Sequence, residues 1–91
     1  MMPLIKVVQL KPVDGHRLWL RFSDGREGVR DFADILAEGG PVVEPLRDPV
    51  FFARVFLEYG VPCWPNGFDI DAIALHQEME VAGLLSQPVE A

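Results

Sequence analysis

The sequence predicts an α+β domain: an antiparallel β meander of three N-terminal strands, a later hairpin, and two or three short helices including a C-terminal one. Three observations carry this. Strand-type residues alternate with period two early in the chain, turn dipeptides fall between those runs, and the chain closes on a helical repeat. With 91 residues the chain forms one small domain, residues 1–91. A chain of this length buries only about 60 to 65% of the surface its unfolded form exposes, so its core is small.

Residues 4–11, LIKVVQLK, are rich in aliphatic and β-branched types and read as the first strand. Asp14-Gly15 is a turn dipeptide, and HRLWLRF follows as the second strand. There Leu18, Leu20 and Phe22 point to the core while Arg17, Trp19 and Arg21 point outward. Ser23-Asp24-Gly25 turns the chain again, and REGVRDF returns as the third strand. Asp31 is placed to cap a short helix running to Ala37 or Glu38, with Phe32, Ile35 and Leu36 on its apolar side and Gly39 at its end.

GGPVVEPLRDPV, residues 39–50, holds two glycines and three prolines and reads as a connection between the halves of the chain. The segment after it is ambiguous. Asp48-Pro49 starts a helix, yet the Val, Phe and Tyr content beyond favours a strand. The preferred reading is a helical turn over Pro49–Ala53 and a strand over Arg54–Tyr59, with Val61–Trp64 pairing back. From Asp69 onward the chain reads as the terminal helix, capped by Asp69 or Asp71, with Ile70, Ile73, Ala74, Val81 and Leu84 on its core stripe.

Charge is unevenly distributed. All eight Lys and Arg lie at or before Arg54, where eight acids cancel them, so the net charge of −6 comes entirely from the C-terminal part. That argues against the segment gripping phosphate backbones and favours basic or neutral protein partners. The single Cys63 suits a reducing cytoplasm, and the N-terminal apolar run is too short and too polar for a signal peptide or membrane span.

The fragments LRFSDG (20–25), DFADIL (31–36), PLRD (45–48) and WPNGFDID (64–71) follow one another in a familiar order. From Ile5 to Leu75 the chain resembles the small bacterial domain-of-unknown-function family numbered 2442, whose most specific element here is Trp64, Pro65, Asn66, Gly67 and Asp69. The resemblance implies a compact α+β domain and tilts Arg54–Tyr59 towards strand. It also implies a stand-alone protein, in some cases encoded beside another small protein in a toxin-antitoxin-like pair. Some relatives carry a helix-turn-helix domain after this one; here the chain stops at Ala91, so a repressor role would need a partner to supply the DNA-reading module. The family brings no catalytic residues, and neither an enzymatic activity nor a cofactor is expected.

Four candidate chemistries stand beside structural readings. Cys63 with His76 or His16 would make a thiol nucleophile and base, but a lone cysteine between Pro62 and Trp64 reads as a small buried hydrophobe. Asp69, Asp71 and His76 lack the spacing of a calcium or zinc site, and helix capping explains the acids. Arg17, Trp19 and Arg21, joined by Arg26 and Arg30, would bind single-stranded nucleic acid. Against that, the arginines can pair with Asp24, Glu27 and Asp31, or the terminal helix can cover Trp19.

The fourth candidate is a protein-interaction surface on the terminal helix, where Leu75, Met79 and Leu85 lie off the main stripe beside Glu78. The expected partner is a second copy or the product of a neighbouring gene, with no membrane and no nucleic acid bound by this chain alone. PCWPNGFDID itself reads as structure, with a small-molecule site near Trp64–Asp71 as the alternative: prolines at a strand end, an Asn66-Gly67 turn, a helix start at Asp69 or Asp71, and Trp64 and Phe68 as anchors.

Overall fold

The computed structural model describes residues 4–86. Strands β1 (Val7–Pro12), β2 (Arg17–Phe22) and β3 (Glu27–Asp31) form an antiparallel sheet in that order. Helix α1 (Ala33–Glu38), a 3-10 turn over Glu44–Arg47 and the single-turn α2 (Pro49–Phe52) follow. The hairpin β4 (Phe56–Glu58) and β5 (Val61–Cys63) then leads to α3 (Ala72–Val81). This is the α+β meander, second hairpin and C-terminal helix that the sequence predicts. No helix among the described residues is long and apolar enough to cross a membrane.

Period-two patterning sets the sheet. Leu18, Leu20 and Phe22 are fully buried. In β1 the register shifts between Val7 and Gln9, pairing Val7 with Phe22 and Leu10 with Leu20. Without that bulge Val7 and Leu10, an odd number of residues apart, would face opposite ways; with it, both reach the core face. The second hairpin abuts β1 through the Val7 N–H, which donates to the Gly60 carbonyl at 2.9 Å. Its turn carries positive φ at both Tyr59 (51°) and Gly60 (79°), the signature of a two-residue primed turn.

An aromatic cluster fills the centre, with Phe52 5.7 Å from Phe32 and 5.6 Å from Trp64 between ring centroids. It joins α1, α2 and the hairpin to the sheet. The Arg47 guanidinium donates to the Leu36 carbonyl at 2.9 Å, tying the 39–50 connection, which holds helical turns of its own, back to the end of α1.

Two local expectations are corrected. Asp31 does not occupy the cap position of α1, which falls on Phe32; the Asp31 carboxylate instead accepts from the Ala33 N–H at 2.9 Å. Phe32 sits there because its ring is needed in the core, at 2% exposure.

The face of α3 is also reversed. Ala72, Leu75, His76 and Met79 are buried and Leu85 follows them inward, whereas Ile73, Val81 and Leu84 are exposed at 38%, 88% and 42%. Positions 72, 75, 76 and 79 form an i, i+3, i+4, i+7 stripe as good as the one expected. With apolar residues on both sides, the observed orientation is the one that brings polar partners together: His76 meets Asp24, Glu78 meets Arg30 and Glu80 meets Arg26. The sequence fragment alone shows none of those partners.

Candidate functional site

Three regions hold the residues singled out from sequence. At the Trp64–Asp71 corner almost every polar group has a structural use. The Trp64 indole N–H donates to the Phe52 carbonyl at 2.9 Å in the core. The Asn66 amide donates to the Val42 carbonyl at 2.8 Å while its oxygen accepts from the Phe68 N–H at 3.3 Å. Gly67, at φ 91°, makes the turn that closes Trp64 and Phe68 onto each other at 2.9 Å. Asp71, rather than Asp69, caps α3 by accepting from the Ala74 N–H at 3.0 Å. Pro65 is exposed at the turn, and Asp69 bridges back to Cys63.

Cys63 is buried beside the carboxylates of Asp69 and Glu58. Burial, reinforced by those two charges, pushes its thiol pKa up, the direction that disfavours the thiolate. The two histidines lie with other partners: His16 Nε2 contacts the Arg47 carbonyl and His76 Nε2 contacts Asp24 Oδ2. Among the described residues no group of three potential metal ligands is gathered.

The outer strip of β2 forms as expected at Arg17, Trp19 and Arg21, but its cations are paired. Arg17 lies against Asp14 at 2.6 Å, and Arg21 against Glu27 at 2.7 Å. Trp19 donates weakly to Glu27 at 3.4 Å with the Arg21 guanidinium over its ring, and α3 lies on the opposite face. Arg26 and Arg30 do not extend the strip. Arg30 sits opposite Leu18 and Trp19 opposite Val29, so strand parity sends Arg26 and Arg30 to the core face and puts Glu27, Val29 and Asp31 beside Trp19.

There Arg26 and Arg30 build the third region, the seam between β3 and α3. Arg30, only 8% exposed, bonds Glu78 at 3.0 Å and Asp34 at 3.2 Å while lying over the Phe32 ring. Arg26 bonds Glu80 at 2.6 Å and the Ser86 carbonyl at 2.8 Å. His76 completes the seam at 2.7 Å from Asp24, its ring edge-on to Phe22. Burial works to raise the Asp24 pKa, but the Arg26 backbone N–H and the His76 imidazole outweigh it and hold the carboxyl below its ordinary range.

Leu75, Met79 and Leu85 therefore belong to the core, at 1%, 0% and 8% exposure, and Glu78 is an ion-pair partner of β3. Among the described residues Val81 and Leu84 stay open near the end of α3, beside a groove of about 730 Å³ between the β3 edge and that helix end. Sequence reasoning passes over that groove. Gly28, the only residue of β3 without a side chain, marks instead the place where the Leu84 carbonyl crosses the strand.

The molecule is thus a small α+β domain whose Trp64–Asp71 segment builds a corner and whose arginines are mostly in ion pairs. The family model described as "Protein of unknown function (DUF2442)" matches residues 7–79, and the chain belongs to that family. No curated protein and no solved structure matches it.

Proposed function

We propose that the chain is a non-enzymatic protein-interaction module, the antitoxin-like, regulatory member of a two-protein bacterial operon acting in the cytoplasm. The observation that carries the interaction reading is on α3. Val81, at 88% exposure, and in part Ile73 and, just past the helix, Leu84 leave apolar area open beside a buried side already filled by Leu75 and Met79. The operon reading rests on the family resemblance, and the cytoplasm on the lone Cys63.

The runner-up, a small-molecule site at Trp64–Asp71, needs polar groups converging on a cleft. Asn66 and Asp71 are instead bonded to the backbone of their own corner and helix. Weak nucleic-acid binding through Arg17–Arg30 has less support, because Arg17, Arg21, Arg26 and Arg30 each carry a carboxylate partner.

Co-expression with the product of the adjacent gene tests the reading. A stable complex, weakened by Val81→Glu but not by Val50→Glu, is expected. Absence of binding at micromolar concentrations would sink the pairing, and salt-dependent retention of the wild type on single-stranded DNA or RNA, lost in Arg17→Gln/Arg21→Gln, would favour the nucleic-acid reading.

A further inference from the structure

β3 is the outer strand of its sheet. The Phe22 N–H donates to the Arg26 carbonyl and the Phe32 N–H to the His16 carbonyl. Alternation along an antiparallel pair then turns the backbone groups of Gly28 and Arg30 toward β2 and those of Glu27, Val29 and Asp31 outward. Part of this edge is already covered. Ser86 donates to the Glu27 carbonyl at 2.8 Å, its hydroxyl accepts from the Glu27 N–H at 3.1 Å, and the Asp31 carbonyl accepts from Arg30 at 3.1 Å. Both backbone groups of Val29, and the N–H of Asp31, have no bonding partner among the described residues.

The groove runs beside this open stretch. Val29, Ala82 and Leu84 give it an apolar lining, and Asp31, Asp34 and Glu78 line it with carboxylates. Its two arginines are engaged, Arg30 with Asp34 and Glu78, and Arg17 with Asp14. Unpaired strand-edge groups beside a helix end and an apolar trough suit an extended peptide added as a strand, with alternate side chains entering the trough.

We propose that this groove receives an extended, basic segment of a partner protein, which pairs with β3 at Val29 as a fourth strand and sets Lys or Arg against Asp31. The proposal rests on the protein-interaction reading and names the partner's chemistry. A second copy fits worse. A two-fold axis at Val29 would set Glu27 of one copy against Asp31 of the other on the same sheet face, and like charges directly opposite repel. Nucleic acid would bring phosphates to the same carboxylates.

The probe is a short fluorescein-labelled peptide of alternating lysine and valine, added to the isotope-labelled full chain. A counterpart with glutamate for lysine, and one with its central amides N-methylated, serve as controls. Binding of the lysine peptide is expected to slow exchange of the Val29 amide about tenfold and to shift the Val29 and Asp31 resonances, as new strand hydrogen bonds would. Both controls are expected to bind about tenfold more weakly. Val29→Pro removes only an outward N–H, which an edge strand tolerates, and Asp31→Asn keeps the Ala33 contact without the charge; each is expected to weaken the peptide several-fold.

Equal binding of either control, resonance shifts confined to other surfaces, or a dimer of the free chain dispersed by Val29→Pro would overturn the proposal. Should Val29→Pro fail to fold, Asp31→Asn and the N-methylated peptide decide it. The same two variants separate this inference from the reading beneath it. A neighbour complex indifferent to both overturns the groove and leaves the interaction reading standing; a peptide docked at Val29 without any neighbour complex upholds the groove and overturns the operon pairing.

Discussion

The Leu84 carbonyl oxygen occupies the space that a Cβ on Gly28 would need. β3 carries a glycine there because the chain leaving α3 crosses its backbone at contact, on the way to the bonds between Ser86 and Glu27. Gly28→Ala is expected to push that crossing segment away and cost about 1 to 3 kcal/mol, the range for overpacking against a group that cannot rotate aside. Urea denaturation and hydrogen exchange at Ser86 measure it; an unchanged Ser86 amide would contradict the account.

Trp64→Phe removes the indole N–H, leaves the buried Phe52 carbonyl without its donor and opens a cavity between Phe52 and Phe68. A loss of about 2 kcal/mol or more is expected from those terms together. Chemical denaturation checks it, with the partly exposed Trp19 left as the fluorescent probe.

Asn66→Asp keeps the oxygen that accepts from Phe68 but replaces the amide that donates to Val42 with a second acceptor. Thermal unfolding is expected to show a destabilisation of about 1 kcal/mol or more. Asn66→Ala, which removes both bonds without placing a carboxylate against the Val42 carbonyl, tests the explanation: if it proves equally stable to wild type, the cross-link to Val42 holds nothing.

Tyr59 adopts φ 51° at the β4–β5 turn and is 91% exposed. A side chain in that backbone region costs about 1 kcal/mol, and Asn tolerates it far better. Tyr59→Asn is therefore expected to raise the melting temperature. A lower one would mean that the ring stabilises the hairpin in a way its exposure does not suggest.

Asp24 and Asp34 both have folded-state pKa values below their ordinary range. Burial opposes the shift in each; the Arg26 backbone N–H and His76 prevail at Asp24, and Arg30 prevails at Asp34. The unfolded chain then binds more protons than the folded one between the two pKa values. The stability these carboxylates contribute is complete above about pH 4 and is lost as pH falls through their folded values. The urea midpoint is expected to drop from pH 5 to pH 2, and less steeply in Asp24→Asn, which keeps the Arg26 contact but cannot ionise. Parallel slopes would remove Asp24 from the explanation.

What the sequence discloses follows from how local the cause is. Leu18, Leu20 and Phe22 alternate against their own neighbours, and Asn66-Gly67 acts within a few residues, so strand and turn are readable; the α3 cap is legible only as Asp69 or Asp71, and the cap expected of Asp31 falls on Phe32 instead. The orientation of α3 is not legible. Its two apolar sides are equivalent within the helix, and the partners that its buried orientation meets, Asp24, Arg26 and Arg30, lie some fifty residues away in the chain. The seam and the β3 groove share that origin. Parity in β2 was legible, but the corresponding parity of β3, which sends Arg30 to the buried face, depends on cross-strand register.

The seam also imposes an order on synthesis. The meander leaves the ribosome with Leu18, Leu20 and Phe22 bare, and the residues that cover them, Leu75, Met79 and Leu85, arrive only later. Until then the nascent chain offers an apolar sheet face and strand edges to chaperones and proteases. A message cut short before Leu75 would therefore yield a meander whose apolar face has nothing to close over it.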